Sequence, residues 1–143
     1  HTLVKSCSAL VGTDESKTDV RYNYHPGWVA HGTLAATAID IGDFFLKLFT
    51  GHIISHEMLT LMKNSITVPY KYNPYPEYST GYGLGLMTLA NSKLSLYGHS
   101  GRGPGYSAAA FCIERTPLSF IVLLSSDETS NTVEIVLEML SNI

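Results

Sequence analysis

Long apolar runs are missing from this 143-residue sequence. No stretch approaches the roughly 18 consecutive apolar residues of a membrane span, and serines interrupt the apolar segment around Ser125. Charge is scarce as well: 9 Lys and Arg stand against 12 Asp and Glu, for a net charge of −3. The basic residues are scattered, so no basic face is expected and nucleic acid is excluded as a partner. Cysteine is limited to Cys7 and Cys112, which share no metal-type spacing. A disulfide between them is one reading; a buried thiol at Cys112 in a strand fits better, because free cysteine behaves as a small hydrophobe. Among the six histidines, His25, His31, His52, His56 and His99 lack acidic ligands at supportive spacing and His1 is terminal. Neither a metal nor a cofactor is therefore expected. A charged segment followed by an apolar one is absent from the start of the chain at His1, so no targeting segment can be read and localisation stays open. Internal repeats and low-complexity segments are lacking too.

What is present is an ordinary globular composition. Hydrophobic residues make up 45% and charged residues 15%, enough to bury a core and too apolar for disorder. The length suits one compact unit. Residues 1–30 show many turn formers and no sustained period, and read mostly as loop with one short strand at most. Loop of that length is uncommon in an independent domain, so the sequence is expected to be a piece of a larger protein.

From residue 31 to 65 the pattern is helical. Thr37 and Asp40 form a capping box ahead of Ile41, Phe44, Phe45 and Leu48 at helical spacing, with Gly51 at the C′ position. Ser55 reads as the N-cap of a second helix carrying Met58, Leu59 and Met62. Pro69, Pro74 and Pro76 then break regular structure. The stretch from Tyr70 to Tyr78 reads as a packed surface loop, with substrate contact as the alternative. From 81 to 143 the period is that of antiparallel strands followed by a helix. Strands are expected at Gly83–Leu89, Leu94–Ser100, Ser107–Glu114 and Ser119–Ser125, with a turn at Arg115-Thr116-Pro117. The last helix is expected from about Asn131 to Ser141, with Val133, Val136, Leu137 and Leu140 on one face. The fold class is α/β (α+β): an antiparallel sheet with a C-terminal helix packed on it, preceded by helices.

One segment carries chemistry. Tyr97-Gly98-His99-Ser100-Gly101-Arg102-Gly103-Pro104-Gly105-Tyr106 is a strand ending in His-Ser-Gly, then a glycine-rich bend. Glycines admit a close backbone or ligand. A strand edge beside such a bend offers N–H groups to an anionic oxygen, and His99 or Ser100 has the chemistry to contact a carboxylate or relay a proton. On local chemistry alone, a plain tight turn with a surface histidine is the better reading, because a lone His-Ser-Gly is a weak signal.

The order of segments narrows this. His31-Gly32-Thr33-Leu34 through Ala36-Thr37-Ala38-Ile39-Asp40-Ile41 and Phe44-Phe45 resembles a helix-opening segment of the serine β-lactamase and penicillin-binding-protein superfamily. The similarity is to its branch of class C β-lactamases, D-alanyl-D-alanine carboxypeptidases and family VIII esterases. Ile54-Ser55 to Met62 resembles the helix that follows there, and Tyr82-Gly83-Leu84-Gly85-Leu86 the family's Tyr-Gly-Leu-Gly strand. His99-Ser100-Gly101, with Gly103-Pro104-Gly105-Tyr106, resembles the third family motif, the Lys-Thr-Gly box in its His-x-Gly form. Four segments in family order cover nearly everything from residue 31 onward.

The resemblance implies the C-terminal part of a serine hydrolase that cleaves amide, β-lactam or ester bonds through an acyl-enzyme. It implies catalytic-wall roles for His99 and Ser100, and oxyanion or substrate binding at Gly101 and the backbone N–H of Arg102. The nucleophile is absent: no lysine here has a serine three residues before it, so the family's Ser-x-x-Lys lies outside this chain. Thr60-x-x-Lys63 imitates the spacing in the wrong segment and reads as helix surface. The Tyr-x-Asn motif is missing as well. Arg102 stands where the family often has a small residue, which would narrow the site, favour an anionic substrate or point to solvent. The fragment alone is expected to be inactive, with a small-molecule or peptide substrate for the whole protein. The competing function is a non-catalytic binding or interaction module. Contact with the missing N-terminal part that hides ~1,000 Å² of apolar surface contributes about 25 kcal/mol, against a usual net stability of about 5–15 kcal/mol. The missing part, or a second copy of the chain, is expected to cover that face.

Overall fold

A computed structural model describes residues 7–13, 16–19, 34–116, 119–124 and 131–142. Strand β1 (Cys7–Thr13) pairs antiparallel with β2 (Ser16–Asp19). Two strands thus stand in a segment whose sequence promised one at most; its turn formers obscured a hairpin. Helix α1 (Ala38–Phe49) and helix α2 (His56–Lys63) follow, then β3 (Ile66–Thr67) and a 3-10 turn at Tyr70–Tyr72. Next come β4 (Ser79–Tyr82), β5 (Met87–Ala90), β6 (Ser95–Gly103), β7 (Tyr106–Ile113) and β8 (Ser119–Leu124), and helix α3 (Thr132–Ser141) ends the chain. Strands β3 to β8 form a six-stranded antiparallel sheet in sequence order.

The described residues fall into two compact units. One comprises those within His1–Ala38, Ser100–Ala109 and Val122–Ile143; the other comprises Ile39–His99 and Ala110–Ile121.

In the second unit α1 ends, and α2 begins, at a cap. Helix α1 starts directly after Thr37 and closes in a Schellman arrangement, with Gly51 N–H donating to Leu48 O (3.3 Å) and His52 N–H to Lys47 O (2.9 Å). Ser55 caps α2 by accepting from Met58 N–H at 3.3 Å. Phe45 and Leu48 of α1 are buried as their spacing requires, whereas Phe44 remains 50% exposed. Phe45 stacks toward Phe49 (5.8 Å) and Phe49 toward Tyr97 of β6 (6.4 Å), which ties α1 to the sheet. Leu89, Leu96 and Phe111 have no exposure and form the centre of this core.

The expected strand Gly83–Leu89 is split. β4 ends at Tyr82, a turn runs through Gly83–Leu86, and β5 begins at Met87. The turn is tied to the end of α2, where Met62 O accepts from Leu84 N–H at 3.2 Å. A Cβ at Gly83 would run into that same carbonyl. The Pro/Tyr segment is organised by Asn73, whose side chain donates to Tyr78 O (2.6 Å) and accepts from Tyr75 N–H (2.9 Å). Tyr70 and Tyr72 stay exposed.

In the first unit Asn131 caps α3 by accepting from Val133 N–H at 3.1 Å, and the Thr132 hydroxyl donates to Ala108 O of β7 at 3.1 Å. Val133 and Val136 are buried, while Leu137 and Leu140 are only half-buried. Replacing Asn131 by alanine removes the cap and is expected to lower stability by about 1 kcal/mol. Urea unfolding of N131A against the parent reads this as a lower midpoint at unchanged slope.

Cys112 is buried in β7, where its thiol donates to Ile113 O (3.5 Å) and Thr116 O (3.8 Å). That matches the reading of it as a buried strand residue, while the Cys7 side chain of the alternative disulfide lies outside the described residues. Of the helix-opening segment, His31, Gly32 and Thr33 lie outside the described residues, as does Pro117 of the turn after β7.

Candidate active-site strand

The His-Ser-Gly motif lies on β6. Its place is set by Gly98, one residue before His99. A Cβ at Gly98 would collide with the Ala110 carbonyl oxygen and stand 2.7 Å from Phe111 Cα and 2.8 Å from Phe111 Cδ1. Only glycine permits β6 and β7 to approach this closely. On the other side Gly98 pairs with Met87 of β5, and Tyr97 with Thr88. The strand returns through Pro104-Gly105, where Gly105 takes φ +78°. Proline followed by a positive-φ glycine is the type II turn sequence.

His99 is exposed. Its Nε2 lies 2.7 Å from the hydroxyl of Tyr82, the last residue of β4, and the two rings meet edge to face at 5.6 Å and 86°. Ser100 is half-buried, and Gly101 and Arg102 are exposed further along the strand. A Cβ at Gly101 would meet nothing within 4 Å, so packing within this chain does not demand glycine there. The sequence had marked His99, Ser100, Gly101 and Arg102; it missed Tyr82, which it read only as the start of a strand.

A different cluster surrounds Tyr97. Lys63 sits over the Tyr97 ring at 4.6 Å and the Phe49 ring at 5.4 Å, and approaches Glu114 at 3.8 Å. Burial pushes the Tyr97 phenol above its usual range, and the Glu114 carboxylate beside it adds to the shift. A cavity of about 310 Å³ adjoins this cluster, lined by Leu46, Phe49, Lys63, Cys112, Glu114 and Arg115 among others. His99 does not line it. Among the described residues no group of three or more His, Cys, Asp or Glu side chains is placed to hold a metal ion. No described helix is long and apolar enough to cross a membrane.

The family described as Beta-lactamase matches residues 8–139, nearly the whole sequence. The chain belongs to the beta-lactamase family. Its fold is also that of a D-stereospecific amidohydrolase from a Streptomyces species, with a TM-score of 0.77 at 23% sequence identity. That match covers 93% of this beta-lactamase-family chain and 38% of the amidohydrolase, so the chain spans well under half of that structure's length. No curated protein matches. Thr60-x-x-Lys63 falls within α2, with Lys63 engaged by Phe49, Tyr97 and Glu114 and the Thr60 hydroxyl donating to His56 O at 2.8 Å. Both ends of that imitation are committed to structural contacts.

Proposed function

We propose that this chain is the C-terminal portion of a serine hydrolase that cleaves amide, β-lactam or ester bonds through an acyl-enzyme. The observation that carries the reading is the His99-Ser100-Gly101 stretch on β6 of a beta-lactamase-family sheet, in a sequence without Ser-x-x-Lys. The amidohydrolase that shares the fold offers amide cleavage as one chemistry. In this reading a serine from outside residues 1–143 attacks the substrate carbonyl. The C–N or C–O bond to the leaving group breaks, the leaving group takes a proton, and water then hydrolyses the acyl-serine. His99 and Ser100 form one wall of the site, contacting a substrate carboxylate or the proton-transfer network. The Arg102 backbone N–H serves as one oxyanion donor, a contribution of typically 10² to 10³ in rate. Open space beside Gly101 is compatible with a substrate lying along this stretch.

The partner proposed for this chain is the remainder of the same protein, with a second copy as the alternative. Ile39 (83% exposed), Phe44 and Leu46 on α1, with Met58 and Leu61 on α2, are apolar side chains left at the surface that such a partner would cover.

The test is acylation of the full-length protein with a fluorescent penicillin and a p-nitrophenyl ester, followed by peptide mass mapping. One acyl adduct is expected, on a serine followed three residues later by lysine and outside residues 1–143. An absence of any adduct with both reagents would leave a binding or interaction module as the better reading.

A further inference from the structure

Tyr82 and His99 lie 17 residues apart in sequence, on strands separated by β5. Sheet register brings them together: Tyr82 pairs with Met87, and Met87 with Gly98, the neighbour of His99. Two features of the contact restrain the imidazole. The hydrogen bond at 2.7 Å fixes the place of Nε2, and the edge-to-face ring contact limits rotation about the side chain. We propose that Tyr82 is a positioning residue: its hydroxyl donates to Nε2 of His99 and holds the ring as the tautomer carrying its hydrogen on Nδ1.

The direction follows from the chemistry of the two groups. A phenol O–H is a stronger donor than a neutral imidazole N–H, and an imidazole nitrogen a stronger acceptor than a phenol oxygen. A bond made by one ring nitrogen sets the hydrogen on the other. With Nε2 accepting, the His99 hydrogen lies on Nδ1 and the ring is held in one orientation on the strand. The inference rests on the hydrolase reading only in taking His99 to border the acyl-transfer site. The contact itself is independent of it.

Two-bond ¹H–¹⁵N correlation spectra of the ¹⁵N-histidine-labelled full-length protein test this, with His99 assigned by its absence in His99→Ala. The parent is expected to carry its His99 hydrogen on Nδ1. Tyr82→Phe keeps the ring but loses the hydroxyl. In that variant His99 is expected to move toward the Nε2–H tautomer, and kcat on a p-nitrophenyl ester to fall about 10-fold with KM within about twofold, as for lost positioning of a reacting group. Tyr82 is about half exposed, so this variant is expected to fold normally. The same tautomer in both proteins, or Nε2–H in the parent, overturns the proposal. So does a tautomer switch that leaves kcat unchanged in an active enzyme. If neither protein acylates at all, the hydrolase reading fails, while the spectra still decide whether Tyr82 holds His99.

Discussion

Gly98→Ala is expected to destabilise the protein by about 3 kcal/mol, the upper part of the usual range for overpacking a well-filled site. The added methyl would meet the Ala110 carbonyl oxygen and the Phe111 Cα, both backbone atoms of β7 that cannot rotate aside. Relief requires β6 and β7 to separate next to Phe111, a side chain with no exposure at the centre of the core. Gly101→Ala supplies the control on the same strand, because its methyl would meet nothing within 4 Å. A change within about 0.5 kcal/mol is expected there, as for surface substitutions generally. Urea unfolding of the two variants beside the parent makes the comparison. Equal midpoints for the two alanine variants would mean that the strands do not approach as described.

His99→Ala in the full-length protein is expected to lower kcat/KM for ester hydrolysis by about 10²-fold, the low end of what a positioned proton-transfer group contributes. Gly98 draws β6 against β7, the type II turn at Pro104-Gly105 returns the chain, and His99 emerges exposed with its ring held against Tyr82. How the loss divides is informative: a fall in kcat assigns His99 to the reacting network, and a rise in KM alone assigns it to substrate binding. His52→Ala is the control, since that exposed ring meets the Thr50 hydroxyl just past α1, at 2.8 Å. A loss below twofold for His99→Ala, with His52→Ala equal to it, would remove His99 from the site.

Some expectations gave way on contact with the tertiary structure. Phe44 shares the helical spacing of Phe45 and Leu48, yet it is half exposed while they are buried. Periodicity defines an apolar stripe on a helix; how much of that stripe is covered depends on what stands opposite. Gly83–Leu89 has the composition of one strand, and forms a turn over Gly83–Leu86 and the first part of the strand Met87–Ala90 instead. The deciding contact is with the Met62 carbonyl at the end of α2, about twenty residues earlier in the chain, and no local pattern encodes it.

What the sequence determined by itself are features closed by short-range bonds. Ser55 and Asn131 cap their helices with side-chain bonds reaching two or three residues. Gly51 and His52 end α1 through N–H bonds to Leu48 O and Lys47 O, and Pro104-Gly105 turns β6 into β7. The His-Ser-Gly strand was legible for the same reason, since its bounding turn and glycines lie within a few residues of it. Only the tertiary structure decided that Tyr82 meets His99, that Lys63 is spent on Tyr97, Phe49 and Glu114, and that Gly98 is required by β7. Each of these depends on sheet register or on a helix laid against the sheet, and a shift of one residue would send the side chains to the other face.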